Sequence, residues 1–265
     1  MKAEDPTIKI GINGNSRAWY NAALNHCITE VDFLDHHEYP LYVLGEGGFD
    51  AYSKFNLNLA TSVKVAQDVI DAMPSPHKER FTILFTETSA ATFGKWDDNG
   101  ADIAHAIAAF DILAQLVSSR NVKVVEFWNT RYTGYSDLTP NRAQALFNNN
   151  ELTANGLAIA ALSKNLLKTM VATTSTSTVR TFASFNSTTN ELNLFLINKS
   201  RGKIDVTFNL TAYAPSSSLA EHWILKGKTE RDFRPTFSKN SNLELSNKKV
   251  VIPIDGISVS VVKLK

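Results

Sequence analysis

Residues 8–171 alternate short apolar runs with helix-compatible stretches, and this alternation restricts the chain to parallel strands joined by helical crossovers. Ile8–Ile12, Ile28–Leu34, Phe81–Thr86 and Val122–Trp128 have the length and apolar content of strands. Arg17–Asn25, Ala60–Ala72, a segment over Ile103–Val117 and Ala154–Val171 supply the helices. The third is the most periodic, with Ile103, Ile107, Phe110, Ala114 and Val117 on one stripe. Four strand–helix units are half of what an eight-stranded barrel requires. An open parallel sheet and a partial barrel are both compatible with that count.

The texture changes at Ala172–Thr178, a run of small and hydroxylated residues that fits a linker or domain edge. Six short alternating runs follow: Val179–Phe185, Glu191–Asn198, Lys203–Leu210, Leu219–Leu225, Val250–Ile254 and Ile257–Leu264. Turn residues separate them, as expected of an antiparallel β-sandwich. Two domains are expected, residues 1–173 and 174–265.

Composition narrows the function classes. A net charge of +1 gives no field for nucleic acid or an acidic membrane. No run approaches the roughly 18 apolar residues of a membrane span, and Met1–Pro6 lacks the apolar core of a secretory leader. Localisation stays open, because the three glycosylation sequons at Asn186, Asn198 and Asn209 are no more than chance supplies in so Asn/Ser/Thr-rich a chain. The single cysteine, Cys27, excludes an intrachain disulfide and reads as a structural thiol. Gly11-Ile12-Asn13-Gly14 is too short for a dinucleotide fingerprint, and no Gly-x-Ser-x-Gly elbow is present.

Glu87 is the strongest catalytic candidate. It shares a strand face with Ile83 and Phe85, so it caps a column of core residues where a parallel barrel opens onto its site. An exposed acid just past a strand is the plainer reading. His36, His37, Glu38 and Tyr39 follow the second strand; adjacent histidines point to opposite sides and do not easily ligate one metal. A polar loop with one satisfied histidine explains them equally well. Trp128 is either a platform for a sugar ring or a core residue, and Glu126 is a structural acid or a supporting group. Trp96, in the turn-rich stretch 93–100, is either a ligand contact or loop packing.

Taken in order, these segments resemble the carboxyl-terminal portion of a clan A glycoside hydrolase, most like the α-L-arabinofuranosidase type. Asp5-Pro6-Thr7-Ile8-Lys9-Ile10-Gly11 resembles the lead into the fifth barrel strand, and His37-Glu38-Tyr39-Pro40 the end of the sixth. Phe85-Thr86-Glu87 resembles the seventh-strand motif that carries the nucleophile, and Phe127-Trp128-Asn129 the end of the eighth. Ala145-Leu146-Phe147 and Leu152–Gly156 resemble the loop opening the last helix. The resemblance implies the second half of a (β/α)8 TIM barrel followed by an antiparallel β-sandwich. It implies retaining hydrolysis of arabinose- or xylose-containing glycans, with Glu87 as nucleophile and His37, Tyr39, Trp128 and Asn129 lining the site. Such chemistry needs no metal or organic cofactor. The expected partner is an oligo- or polysaccharide, with no nucleic acid and no membrane.

The family's acid/base glutamate, in an Asn-Glu pair ending the fourth strand, has no counterpart before Ile8, where only Glu4 and Asp5 precede the fifth-strand segment. Self-association, or a second chain completing the barrel, is one expected remedy. An acid from within, Glu38, Asp97 or Glu126, is another. The alternative is a carbohydrate-binding or structural protein that kept the fold without catalysis.

Overall fold

The computed structural model describes residues 1–92, 100–131 and 143–265. Trp96 and Asp97 therefore lie outside the described residues. From the amino terminus run β1 (Gly11–Gly14), α1 (Arg17–Cys27), β2 (Phe33–Glu38), a 3-10 segment over Tyr42–Gly47, α2 (Gly48–Lys54), α3 (Ala60–Ala72), α4 (His77–Arg80), β3 (Thr82–Thr88), α5 (Ile103–Val117), β4 (Val122–Phe127) and α6 (Ala154–Ser163). The four strands pair in parallel and in sequence order, β1-β2-β3-β4. Among the described residues the outer edges of β1 and β4 pair with no further strand.

Side-chain caps set where the helices start. The Ser16 hydroxyl accepts from Trp19 N at the start of α1, the Asp102 carboxylate from His105 N at α5, and the Thr153 hydroxyl from Gly156 N at α6. Helix α5 is more apolar than its stripe suggests, being buried almost all round. One side meets the parallel sheet and α6; another meets the antiparallel sheet, where Phe110 and Phe195 lie 6.0 Å apart between ring centroids.

Two strands are displaced from their expected places. The second runs over Phe33–Glu38 rather than Ile28–Leu34, because Ile28 caps α1 and Glu30 N and Val31 N turn back to Cys27 O. The first starts at Gly11, because the Asp32 carboxylate occupies Ile10 N at 2.9 Å. Helix α6 ends at Ser163 instead of Val171; Asn165 Nδ2 turns onto Ala161 O at 2.7 Å, and the chain then enters the next sheet. Cys27 is half-buried, its thiol donating to Ala23 O at 3.1 Å.

That sheet contains β5 (Thr169–Val171), β6 (Val179–Asn186), β7 (Glu191–Asn198), β8 (Ile204–Asn209), β9 (Leu219–Lys226), β10 (Thr236–Ser246), β11 (Lys249–Ile254) and β12 (Ser258–Leu264). They form one curled antiparallel sheet in the order β5-β6-β7-β12-β9-β10-β11-β8. The long β10 carries the curl, pairing with β9 up to Glu244 and with β11 at Leu245 and Ser246, with a bulge near Asn240. The curl closes over Leu194, Leu196, Ile252, Ile254 and Val262, while Phe195, Ile197, Val259 and Val261 face the core shared with α5. Burial of both faces is why the alternation expected of β7 gives way to four consecutive apolar residues, Leu194–Ile197. The stretch Ala172–Thr178 lies along β6: Thr173 Oγ1 and Thr181 Oγ1 donate to Thr181 O and Thr174 O. Asn198 is fully buried, with Nδ2 donating to Gly202 O and Asp255 O.

Candidate active site

Glu87 is the penultimate residue of β3, an inner strand of the parallel sheet, and the register sets it directly beside His37 of β2. Two side chains hold its carboxylate. Tyr39, just past β2, donates from its hydroxyl to Glu87 Oε1 at 2.5 Å, and His37 Nδ1 lies 3.3 Å from Oε2. Glu87 remains 28% exposed, so its acid reaches both partners and solvent. A carboxylate fixed by the Tyr39 hydroxyl and flanked by the His37 imidazole has a fixed direction of attack.

Behind His37 lies Asp35, which the sequence reading did not single out. Its carboxylate accepts from Thr86 N (3.1 Å), Thr86 Oγ1 (2.8 Å) and Asn13 Nδ2 (3.0 Å), and lies 3.3 Å from His37 Nε2. One imidazole thus bridges two carboxylates, Asp35 and Glu87. The available signal was strand parity: Asp35 shares a face with His37, and the parallel register puts Asn13 opposite Asp35.

His36 points the other way, as adjacent strand residues must. It is buried, 3.3 Å from the Tyr20 hydroxyl through Nδ1 and packed against Phe85 at 5.3 Å. Burial, reinforced by the Asp35 charge, pushes the Tyr20 phenol well above its ordinary range. Glu38 Oε2 lies 3.7 Å from His36 Nε2. The nearby His36 imidazole, aided by Ser62, holds the Glu38 carboxyl below the usual range against its burial. A general acid needs the opposite shift. Glu126 is exposed on the edge strand β4. Among the described residues, no three His, Cys, Asp or Glu side chains are arranged to hold a metal ion.

Trp128 and Asn129 follow β4 at the same end of the sheet. Trp128 N donates to Thr88 O at 2.8 Å, which ties this segment to the residue after Glu87, and the indole is 40% exposed. The peptide joining Trp128 to Asn129 is cis. Asn129 is fixed by its backbone to Ala143 O and Ala145 N, and its buried Oδ1 accepts no hydrogen bond from the described residues. The structure therefore gathers His37, Tyr39 and Glu87 into direct contact and sets Trp128 and Asn129 one strand away.

The sequence matches no protein-family model and none of the curated proteins. Solved structures do match over its full length. A crystal structure of an arabinofuranosidase matches with TM-score 0.73 at 16% identity, over 100% of this chain and 59% of that one. The α-L-arabinofuranosidase of Thermotoga maritima, solved with arabinose, gives 0.74 at 15% identity, over 99% of this chain and 58% of that one. A glycoside hydrolase family 30 subfamily 8 xylanase from Clostridium acetobutylicum gives 0.65 at 15% identity, over 100% and 57%. The chain thus spans somewhat more than half the length of these relatives. Over that part of their length its fold is shared with arabinofuranosidases and a family 30 xylanase.

Proposed function

We propose that this chain carries the nucleophile of a retaining glycoside hydrolase acting on arabinose- or xylose-containing glycans. In this reading residues 1–173, β5 excepted because it pairs with β6, are the second half of a (β/α)8 barrel, and residues 174–265 are a β-sandwich beside it. The observation that carries the proposal is Glu87, at the carboxyl end of a parallel strand, held by Tyr39 and His37. Ionised Glu87 attacks the anomeric carbon; the bond to the leaving oxygen breaks, and a glycosyl ester forms. Water then displaces the ester and returns the carboxylate. Tyr39 and His37 orient the attacking oxygens, while Trp128 and Asn129 line the sugar site.

Retaining hydrolysis needs a second carboxyl group about 5–5.5 Å from the first, and we assign that role to no residue described. Loss of proton donation costs about 10²–10⁴-fold, most for poor leaving groups. The purified chain is therefore expected to cleave dinitrophenyl arabinofuranosides or xylosides and to leave unactivated glycosides nearly untouched. Sugar binding with no turnover of either substrate would favour the non-catalytic reading instead.

Replacing Tyr39 with Phe removes one donor to a charged acceptor. Such a bond contributes about 1.5–3 kcal/mol, so kcat/KM on the activated substrate is expected to fall about 10–100-fold. Steady-state assays check this; an unchanged rate would mean Tyr39 does not serve Glu87.

Among the described residues the outer edges of β1 and β4 are unpaired, which favours pairing with another strand. We propose that a second copy of this chain covers them and completes the barrel. Light scattering of the purified chain is expected to give a multiple of its 29.3 kDa mass. A clean monomer at high concentration would rule out the second copy.

A further inference from the structure

We infer that Trp19 is the platform of a second sugar-binding subsite beside Glu87, built to take a neutral pentose ring of a glycan chain. The inference rests on the proposed function and extends it to a residue outside the set already assigned to the site. A cleft of about 440 Å³ opens at the mouth of the parallel sheet, lined by Asn13, Gly14, Asn15, Trp19 and His37. That volume lies within the roughly 300–1,000 Å³ of small-molecule sites. His37 is its link to the reacting centre, since the same imidazole contacts Glu87.

The chemistry of the lining is specific. An indole, two side-chain amides and one imidazole supply apolar and polar groups side by side, and among the described residues no carboxylate lines the cleft. A sugar ring has the matching surface: a C–H face that packs on an aromatic plane, and hydroxyls at its rim that exchange hydrogen bonds with amides. A phosphorylated or acidic ligand would find no Lys or Arg among the described residues of this lining.

Trp19 is 55% exposed, yet it is fixed in place. Its Nε1–H donates to Asn13 O at 2.7 Å, and its backbone N is capped by Ser16 Oγ at 3.3 Å. The indole rests against Gly14, where an added Cβ would stand 2.2 Å from Trp19 Cδ1. The Gly14 carbonyl is in turn anchored by the Tyr20 hydroxyl at 2.5 Å. An exposed aromatic normally keeps its rotamer freedom; one pinned on this many sides has already lost that entropy and binds a ring without the ordering cost.

The test measures binding apart from turnover. In the Glu87→Gln background, linear xylo-oligosaccharides and arabino-oligosaccharides are titrated calorimetrically, alone and with Trp19→Ala added. Saturable binding is expected, weakened at least about tenfold by Trp19→Ala and largely restored by Trp19→Phe. Should Trp19→Ala fail to fold, Trp19→Leu keeps apolar bulk without a planar face and serves the same comparison. Equal binding with and without the indole would overturn the subsite, as would no binding in the Glu87→Gln protein. The role of Glu87 is decided separately, by turnover of a one-ring dinitrophenyl glycoside in the wild-type chain.

Discussion

Glu87→Gln is expected to lower turnover of a dinitrophenyl arabinofuranoside or xyloside by at least about 10³-fold, with little change in folding stability. Gln is nearly isosteric, so its carbonyl can still accept from Tyr39, but a neutral amide does not form the glycosyl ester. Loss of a single well-placed oxyanion-hole donor already costs about 10²–10³-fold, and loss of the attacking atom costs more. Stability is spared because Glu87 is partly exposed and lies outside both apolar clusters. Paired kinetics and urea denaturation check the two halves of the statement. Wild-type rates in the Gln variant would move the nucleophile elsewhere; a collapse of stability would recast Glu87 as a structural acid.

The second large effect concerns stability, at the seam between the two sheets. Asp111 is fully buried in α5, with Arg180 Nε of β6 3.4 Å away, Gln115 Nε2 at 2.9 Å and the Tyr52 hydroxyl at 3.3 Å. Arg180 also reaches Asn56 Oδ1 and Leu57 O, at 3.2 and 3.0 Å. Lys199, buried nearby, donates to Phe55 O at 2.6 Å and lies 4.6 Å from the Tyr52 ring centre. Arg180→Met keeps most of the apolar stem and deletes the charge. Breaking a buried pair by removing one partner typically costs 3–5 kcal/mol, so about 3 kcal/mol is expected at neutral pH for this slightly exposed Arg180.

The pH dependence follows from Asp111. Burial raises its folded carboxyl above the unfolded value, against the opposing pull of Arg180, Gln115, Lys199 and Tyr52. A raised carboxyl contributes stability that is complete below the unfolded pKa, about 3.9, and is lost as pH rises through the folded value. Removing Arg180 raises the folded value further, so the variant loses more on the way to pH 7. The gap between wild type and Arg180→Met should therefore narrow near pH 4. Urea denaturation at both pH values tests it; a gap below about 1 kcal/mol at neutral pH, or one that does not change between the two, would contradict the account.

The parallel half of the fold was legible because apolar strands and periodic helices are local signals. The strand β2 was placed too early because its true residues, Asp35-His36-His37-Glu38, are polar; their hydrogen bonds are long-range and invisible in one segment. Strand β10 was missed for a related reason. Its surface is mostly solvated, with Phe237, Leu243 and Leu245 the only large apolar groups in 11 residues, and its pairing spans a bulge. At the site, short motifs named Glu87, His37 and Tyr39, while Asp35, Asn13 and Trp19 required the register between β1 and β2 and the turn into α1. The shift of Glu38 away from proton donation depends on the buried His36, which a strand pattern does not foretell.

One measurement bears most directly on Glu87 as a nucleophile. Incubation with a 2-deoxy-2-fluoro dinitrophenyl glycoside, followed by peptide mass spectrometry, reports which side chain forms a bond to the anomeric carbon. The good leaving group removes the need for an acid, and the slowed second step lets the ester accumulate. The account predicts one glycosyl unit on the peptide containing Phe85-Thr86-Glu87, absent in Glu87→Gln. An unlabelled protein, or a label on any other carboxylate, would contradict it.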